Sequence, residues 1–363
     1  ENVVHAMEEI VRLGASRGWR DLNIALGQQC VEDEKLTDHT AYLLEQGDSW
    51  DFDEKNQVFL TRTATKQESL SPEGYAAWDK ELGAFRKNRV WDVDPIPFDS
   101  LDSRARVYPL LGLTSVKHAE RSHEEQKVKA RLVGRGDIGK HPDGTPVREE
   151  DDLFAPVASL GGVRLLVARA HLLGLGVQSM DVTSAYLQAH LRTELEYYVQ
   201  LPSTVIDYLT YEEKEKHFSV KRPVYRLRKA LYGLQRSAFD WISTMMDHLV
   251  ECGWEGSSYD PALMTRSYNG IAEWIALYVD DVVLSTTDDR FAFCWSEILD
   301  KFASSPPEPC VDYIGIRFNR FSKGGLRVLQ VDMTDYAASI VTDYTEDLKT
   351  NHVERRNGRL KEV

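Results

Sequence analysis

The chain has 363 residues, 58 acidic against 44 basic side chains, a formal net charge of -14 and 42% hydrophobic content. That balance suits a globular protein of one large or two to three ordinary domains and excludes fibrous and wholly disordered chains. The four cysteines, Cys30, Cys252, Cys294 and Cys310, are too scattered for a disulfide framework or a paired zinc site, which fits a reducing compartment.

No run reaches the roughly 18 apolar residues of a membrane span. The acidic start ENVVHAMEEIVRLG lacks the pattern of a signal peptide, and a first residue other than Met suggests a processed chain or a fragment. Net acidity speaks against a nucleic-acid partner, but residues 1–100 hold 20 acidic against 11 basic side chains, so most of the excess lies in the first quarter.

In chain order, Met7 to Arg20 has apolar residues at Met7, Ile10, Val11 and Leu13, close to helical spacing. Residues 32–73 are acidic and polar and read as a loosely structured leader or a small appended unit. A second helix is expected from about Pro72 through Trp78, Leu82 and Phe85 to Arg86, Lys87 and Arg89. The sequence WDVDPIP then stops regular structure, because proline lacks a donor and restricts its predecessor. Arg106 to Leu113 and Lys127 to Val133 are expected to pair as a hairpin carrying basic side chains.

Residues 136–150, GDIGKHPDGTPVREE, are turn-rich. Gly161 to Leu175 is expected to be an apolar helix that leads through Gly176 into a strand, Val177 to Val182, with Asp181 at its end. Ala185 to Leu191 leads away as a helix or turn. Val224 to Trp254 begins basic and becomes a helix with apolar positions at Phe239, Ile242, Met245, Met246 and Leu249. Two strands are then expected in AEWIALYVDDVVLSTTDD, Ala272 to Asp289, whose apolar flanks surround Asp280 and Asp281.

Carboxylates between apolar strands are costly without a partner, a metal or a shifted pKa. Tyr278 to Val283 reads as a strand-turn-strand with Asp280 and Asp281 in the turn. With Asp181 at the end of another apolar strand, three carboxylates offer the oxygen ligands Mg²⁺ takes, leaving positions for water or phosphate. The same residues also read as a plain hairpin turn, which Asp favours for local hydrogen-bonding reasons. Trp241, Met245 and Met246 read as helix core. His171 and His190 have no companion at metal spacing, and Gly324-Gly325 reads as a hairpin turn.

Seven segments occur in a telling order: WDKELGAFRKNRVWDVDPIP from Trp78, KVKARLVGRG at 127–136, DLFAPVASL at 152–160, QSMDVTSAYLQAHL at 178–191, YRLRKALYGLQRSAFDW at 225–241, ALYVDDVVLS at 276–285 and DYIGIRF at 312–318. Together, over residues 78–340, they closely resemble the reverse transcriptase of copia-type long-terminal-repeat retrotransposons. The resemblance implies an RNA-directed DNA polymerase within a retrotransposon Pol polyprotein, adding nucleotides by two-metal-ion phosphoryl transfer. It implies an α+β right-hand fold, with palm and fingers around an antiparallel sheet, fingers built largely from about residues 100–178, and a short or truncated thumb.

Domains are expected at 1–75 (an acidic leader), 76–340 (fingers and palm) and 341–363 (a polar tail or the start of a thumb). By the same resemblance Asp181, Asp280 and Asp281 are the catalytic residues and the ligands of two Mg²⁺ ions, with Mn²⁺ as a substitute. Lys129 and Arg131 grip the incoming triphosphate, and Tyr186 packs beneath the deoxyribose and disfavours a 2′-hydroxyl. Tyr232, Gly233, Gln235 and Arg236 lie on the far side of the nucleotide and template base. Arg226, Arg228, Lys229 and Arg236 contact template backbone or form a solvated charge run.

The implied partners are an RNA or DNA template with its primer, dNTPs, and the ribonuclease H and integrase regions of the same polyprotein, with no membrane. The implied location is cytoplasmic virus-like particles followed by nuclear association, the setting of DNA integration. The chain departs from the family where LYGLKQSPRAW is usual and LYGLQRSAFDW stands here, so one positive charge moves by one residue and another is lost. Two other readings therefore stay open: a catalytically impaired nucleic-acid-binding remnant, and a structural or protein-binding relic.

Overall fold

The computed structural model describes residues 61–340 apart from 119–121, 123, 149–152, 335 and 339. The helix expected near Met7, most of the acidic leader and the polar tail 341–363 lie outside the described residues. In order, the chain forms β1 (Thr61–Thr63), α1 (Lys66–Ser69), α2 (Pro72–Asn88), β2 (Ile96–Pro97), β3 (Arg106–Lys117), β4 (Lys127–Gly134) and α3 (Leu160–Leu173). There follow β5 (Gly176–Asp181), α4 (Ala185–Gln188), β6 (Tyr197–Gln200), α5 (Ser203–Ile206), α6 (Tyr211–Ser219), β7 (Pro223–Arg226) and α7 (Ser237–Glu251). The last elements are β8 (Glu255–Gly256), β9 (Leu263–Tyr268), β10 (Ile271–Tyr278), β11 (Asp281–Thr286), α8 (Phe291–Leu299), β12 (Glu308–Pro309), β13 (Asp312–Tyr313), β14 (Ile316–Lys323) and β15 (Leu326–Asp332).

The first sheet runs β1-β3-β6-β7-β2, with β4 also paired to β3. Strand β3 serves three partners: residues 110–117 form the expected antiparallel hairpin with β4, residues 115–117 also pair with β1, and residues 106–109 pair in parallel with β6. Helix α2 starts at the capping hydroxyl of Ser71, followed at once by Pro72, and buries Trp78, Glu81, Leu82 and Phe85 at helical spacing. The Trp78 indole donates to Thr114 Oγ1 of β3 at 3.1 Å. Gly112 makes room for this ring, since a Cβ there would lie 2.9 Å from it. The boundary expected at 75/76 is therefore no seam: it falls inside α2, and β1 already belongs to the first sheet.

The second sheet runs β12-β5-β11-β10-β9-β8 with every pair antiparallel. Helices α3, α7 and α8 supply its core through Leu166, Val167, Trp241, Met245 and Trp295, packed with Val282, Val283 and Leu284. Every residue of β11 after Asp281 is buried, so this strand is covered on both faces, and Val282 to Leu284 is its apolar run. The division expected near residue 178 is not followed. Helix α3 packs on the second sheet, and β6 and β7 complete the first, because apolar faces rather than chain order select the layer. Strands β13, β14 and β15 form a third sheet, with Gly324 and Gly325 at positive φ in the expected two-residue turn. Among the described residues no helix is long and apolar enough to cross a membrane.

The altered family segment has a structural explanation. At the start of α7 the Arg236 guanidinium donates to both Asp240 oxygens, at 2.8 and 3.0 Å, one helical turn apart. The pair is enclosed, with the side chains 1% and 0% exposed. Arg236 also donates to the Arg192 carbonyl, and Asp240 accepts the Arg192 N–H. The two departures thus complement each other. Asp240→Ala is expected to cost about 3–5 kcal/mol in urea unfolding, because it strands a buried cation. The double variant Arg236→Gln, Asp240→Ala, which removes both charges, is expected to recover most of that loss.

Candidate active site

Antiparallel pairing of β5 with β11 sets Asp181 directly opposite Asp281. Tyr278 pairs with Asp281 across the hairpin, so the turn consists of Val279 and Asp280. This corrects the expectation that both acidic residues occupy the turn: Asp281 is the first residue of β11. Val279 has φ 56°, a conformation a β-branched residue rarely adopts and for which hairpins favour glycine. The turn is fixed from its carbonyls. Val279 O accepts the Trp241 indole N–H at 2.6 Å, Asp280 O the Val182 N–H at 2.7 Å, and Asp281 O the Tyr313 hydroxyl at 3.3 Å. Ser305 clamps Asp181 in turn, donating its N–H to Asp181 O at 2.8 Å and accepting the Asp181 N–H on Oγ at 3.0 Å.

The basic side of the site is joined to this platform through backbone contacts. The Gly134 N–H, at the end of β4, donates to Tyr232 O at 2.6 Å, and the Gly136 N–H to Gly233 O at 3.2 Å. Gly233 has φ 86°, and a Cβ there would lie 2.2 Å from Gly134 O, so only glycine permits the approach. Tyr232 then lies edge-on to Tyr186, ring centroids 5.1 Å apart, and the Arg131 guanidinium sits 5.4 Å from the Tyr232 ring centre. Lys129 lies two residues before Arg131 on the same strand.

The electrostatics divide the site into two poles. Burial and Asp280 raise the Asp181 carboxyl above its usual range, while Lys129 and Arg131 pull it back. Burial, Asp280 and Asp181 push the Asp281 carboxyl up to about 6. Burial and Asp280 raise the Tyr186 phenol. On the other side, burial and the neighbouring Arg131 and Lys117 lower the Lys129 ammonium. One pole would gain from a cation and the other from a polyanion.

Among the described residues no three carboxylate, imidazole or thiolate groups converge as the ligands of one ion. The donor set nevertheless fits Mg²⁺, which takes hard oxygens and is usually held by one or two carboxylates together with substrate phosphates rather than by a protein cage. A cavity of about 320 Å³ opens beside Asp181 and Asp281, lined also by Ser179, Ser305, Glu308 and Tyr313.

Asp181, Asp280, Asp281, Lys129, Arg131, Tyr186 and Tyr232 are thus brought together. Gly233 acts through its backbone, and Gln235 is exposed. Arg236 is not part of the site, being enclosed with Asp240 and Arg192. The basic run, expected to contact template, makes contacts within the chain. Arg226 pairs with Glu196, Arg228 with Asp92 through two 2.7 Å hydrogen bonds, and the Lys229 ammonium donates to Gln188 O. Sequence reasoning missed Trp241, Ser305 and Tyr313 as supports of the aspartates, since their roles depend on contacts distant in the chain.

With this geometry in place, the comparisons assign the class. Residues 102–353 match the family described as reverse transcriptase (RNA-dependent DNA polymerase), and the chain belongs to it. It is similar to the Transposon Ty1-OR Gag-Pol polyprotein of Saccharomyces cerevisiae, 27% identical over 213 residues, which cover 58% of this chain and 10% of the relative. The Truncated transposon Ty1-A Gag-Pol polyprotein of the same yeast is 27% identical over 217 residues, covering 58% of this chain and 15% of the relative. These matches bear out the resemblance to the reverse transcriptase region of a copia-type retrotransposon Pol. The chain spans about a tenth of the length of such full-length relatives. A solved structure of telomerase from Candida albicans, in complex with a TWJ fragment of telomeric RNA, aligns with TM-score 0.37 and 12% identity, covering 71% of this chain and 49% of that one.

The raised Asp281 carboxyl carries a pH signature. Its folded-state pKa of about 6 lies above the reference 3.8, so the folded, metal-free chain binds more protons between these values, and stability falls as pH rises through about 6. In chelator, Asp281→Asn is expected to be more stable than wild type at pH 8 by on the order of 1 kcal/mol, allowing for solvent screening of a half-buried group. That advantage should vanish at pH 4, as followed by denaturant unfolding.

Proposed function

We propose that this chain catalyses RNA-directed DNA synthesis, adding deoxynucleoside monophosphates to a primer 3′-hydroxyl with release of pyrophosphate. The observation that carries the reading is the register of β5 and β11, which places Asp181 opposite Asp281 and beside Asp280, facing Lys129, Arg131 and Tyr186. In the right-hand description α2 and the first sheet are fingers, and the second sheet with α3, α7 and α8 is the palm.

Asp181, Asp280 and Asp281 hold the divalent ions, with Mg²⁺ the natural occupant and Mn²⁺ a substitute. When bound, the ions would lower the pKa of the primer hydroxyl and stabilise charge on the attacked phosphate and the leaving pyrophosphate. Lys129 and Arg131 neutralise the triphosphate. Tyr186, backed by Tyr232, lies under the sugar and leaves no room for a 2′-hydroxyl. The partners are an RNA or DNA template annealed to a primer and dNTPs. The setting is a retrotransposon polyprotein with ribonuclease H and integrase regions, acting in cytoplasmic particles before nuclear delivery. The Arg236–Asp240 pair supports a well-formed rather than a decayed segment, because these two altered residues close on each other, while the exposed Gln235 supplies no charge where the family usually has Lys.

The test is extension of a labelled DNA primer on an RNA template with dNTPs and Mg²⁺. Wild type is expected to extend, and Asp181→Asn and Asp280→Asn to fall by a factor on the order of a thousand or more, as expected when transition-state charge loses its support. A folded wild type that binds template–primer but adds no nucleotide would support the remnant instead. Tyr186→Ala is expected to extend with ribonucleotides at a rate closer to that with deoxyribonucleotides, read as the ratio of the two kcat/KM values.

A further inference from the structure

Glu81 of α2 is buried, with 5% of its side chain exposed, and the reading above gives it no role. Its Oε1 accepts the Leu132 N–H at 3.1 Å, and its Oε2 accepts Arg131 Nη1 at 2.9 Å. A buried carboxylate is costly unless it is fully paired, and an apolar residue would fill the same face beside Trp78, Leu82 and Phe85 at no such cost. The two oxygens do separate things. One fixes the β4 backbone where it carries Arg131, and the other fixes the guanidinium itself. Arg131 is 37% exposed, and among the described residues its Nε and Nη2 have no hydrogen-bond partner. Glu81 lies outside residues 102–353, so this contact comes from a helix upstream of the part of the chain that matches the family.

We propose that Glu81 is a positioning residue: from α2 it holds Arg131 over Tyr232 with the free edge of its guanidinium turned to the triphosphate of the incoming nucleotide, a role that rests on the polymerase reading. The physical reason is orientation. An unrestrained Arg side chain has many rotamers, and a nucleotide binding to it must order them, whereas one anchored through Nη1 has already lost that freedom. Glu81 itself stands behind Arg131 and touches no substrate.

The test uses the full chain with a dideoxy-terminated primer on its template, so that dNTP affinity is measured without turnover, alongside steady-state extension on an ordinary primer. Glu81→Gln keeps an acceptor for the Leu132 N–H and removes the negative charge that holds Arg131. It is expected to weaken dNTP binding and raise KM for dNTP on the order of tenfold, leaving kcat, template–primer affinity and melting temperature near wild type.

In an Arg131→Ala background the same substitution should have no further effect, because the residue acts through Arg131. Unchanged dNTP affinity in Glu81→Gln, or an equal loss with and without Arg131, would overturn the assignment while leaving the polymerase reading intact. A folded wild type that binds template–primer but no dNTP would overturn both.

Discussion

Everything in the candidate site depends on one register, the antiparallel pairing that sets Asp281 of β11 opposite Asp181 of β5. Side chains alternate along a strand, so a slip of one residue would turn Asp281 to the other face and bring Val282 into its place. The apolar run Val282 to Leu284 opposes that slip, being buried among α3, α7 and α8. Asp280 raises the carboxyl of Asp181, and Asp280 with Asp181 raises that of Asp281, so the three sit together only because the surrounding structure over-determines their positions. Trp241, Val182, Tyr313 and Ser305 supply that determination through hydrogen bonds to the backbone and leave the carboxylate oxygens available.

Charge is used differently elsewhere in the molecule. The basic stretch from α6 to α7 is met by acidic residues, from other segments for Lys216 (Asp94), Arg222 (Asp99), Arg226 (Glu196) and Arg228 (Asp92), and from one helical turn on for Arg236 (Asp240). The exposed pairs contribute little individually. Their consequence is that a run which looks like a phosphate-binding strip in the sequence is largely neutralised internally. Lys129 differs, since the cations Arg131 and Lys117 stand beside it, and this is the local environment that favours an anion.

The sequence made the core strands, the long helices and the three aspartates legible because each announces itself locally. Strand β10 is largely apolar, β11 carries the run Val282 to Leu284, β5 buries Val177 and Met180, α3 is an apolar helix closed by Gly174, and YVDD sets charge inside an apolar frame. Three features were not legible, and each depends on contacts far apart in the chain. The turn register was misplaced by one residue because Val279, an improbable turn residue, is held at positive φ by Trp241, 38 positions away. Arg236 read as a substrate contact because its i,i+4 pair with Asp240 is enclosed only by distant partners, Arg192 and Tyr197, 44 and 39 positions away. The layers were divided at the wrong residue because α3 buries its apolar face on the second sheet while the later β6 and β7 return to the first.

The central claim is that the register-paired aspartates form a divalent-ion site that completes itself only when nucleotide is present. The direct measurement is Mn²⁺ binding followed by electron paramagnetic resonance, on the full chain with a dideoxy-terminated primer, its template and the matching dNTP. The account predicts about two ions per chain in that complex, weaker binding without dNTP, and loss of both ions in Asp181→Asn and Asp280→Asn. Mn²⁺ binding that is indifferent to these substitutions, or none in the complete complex, would contradict it.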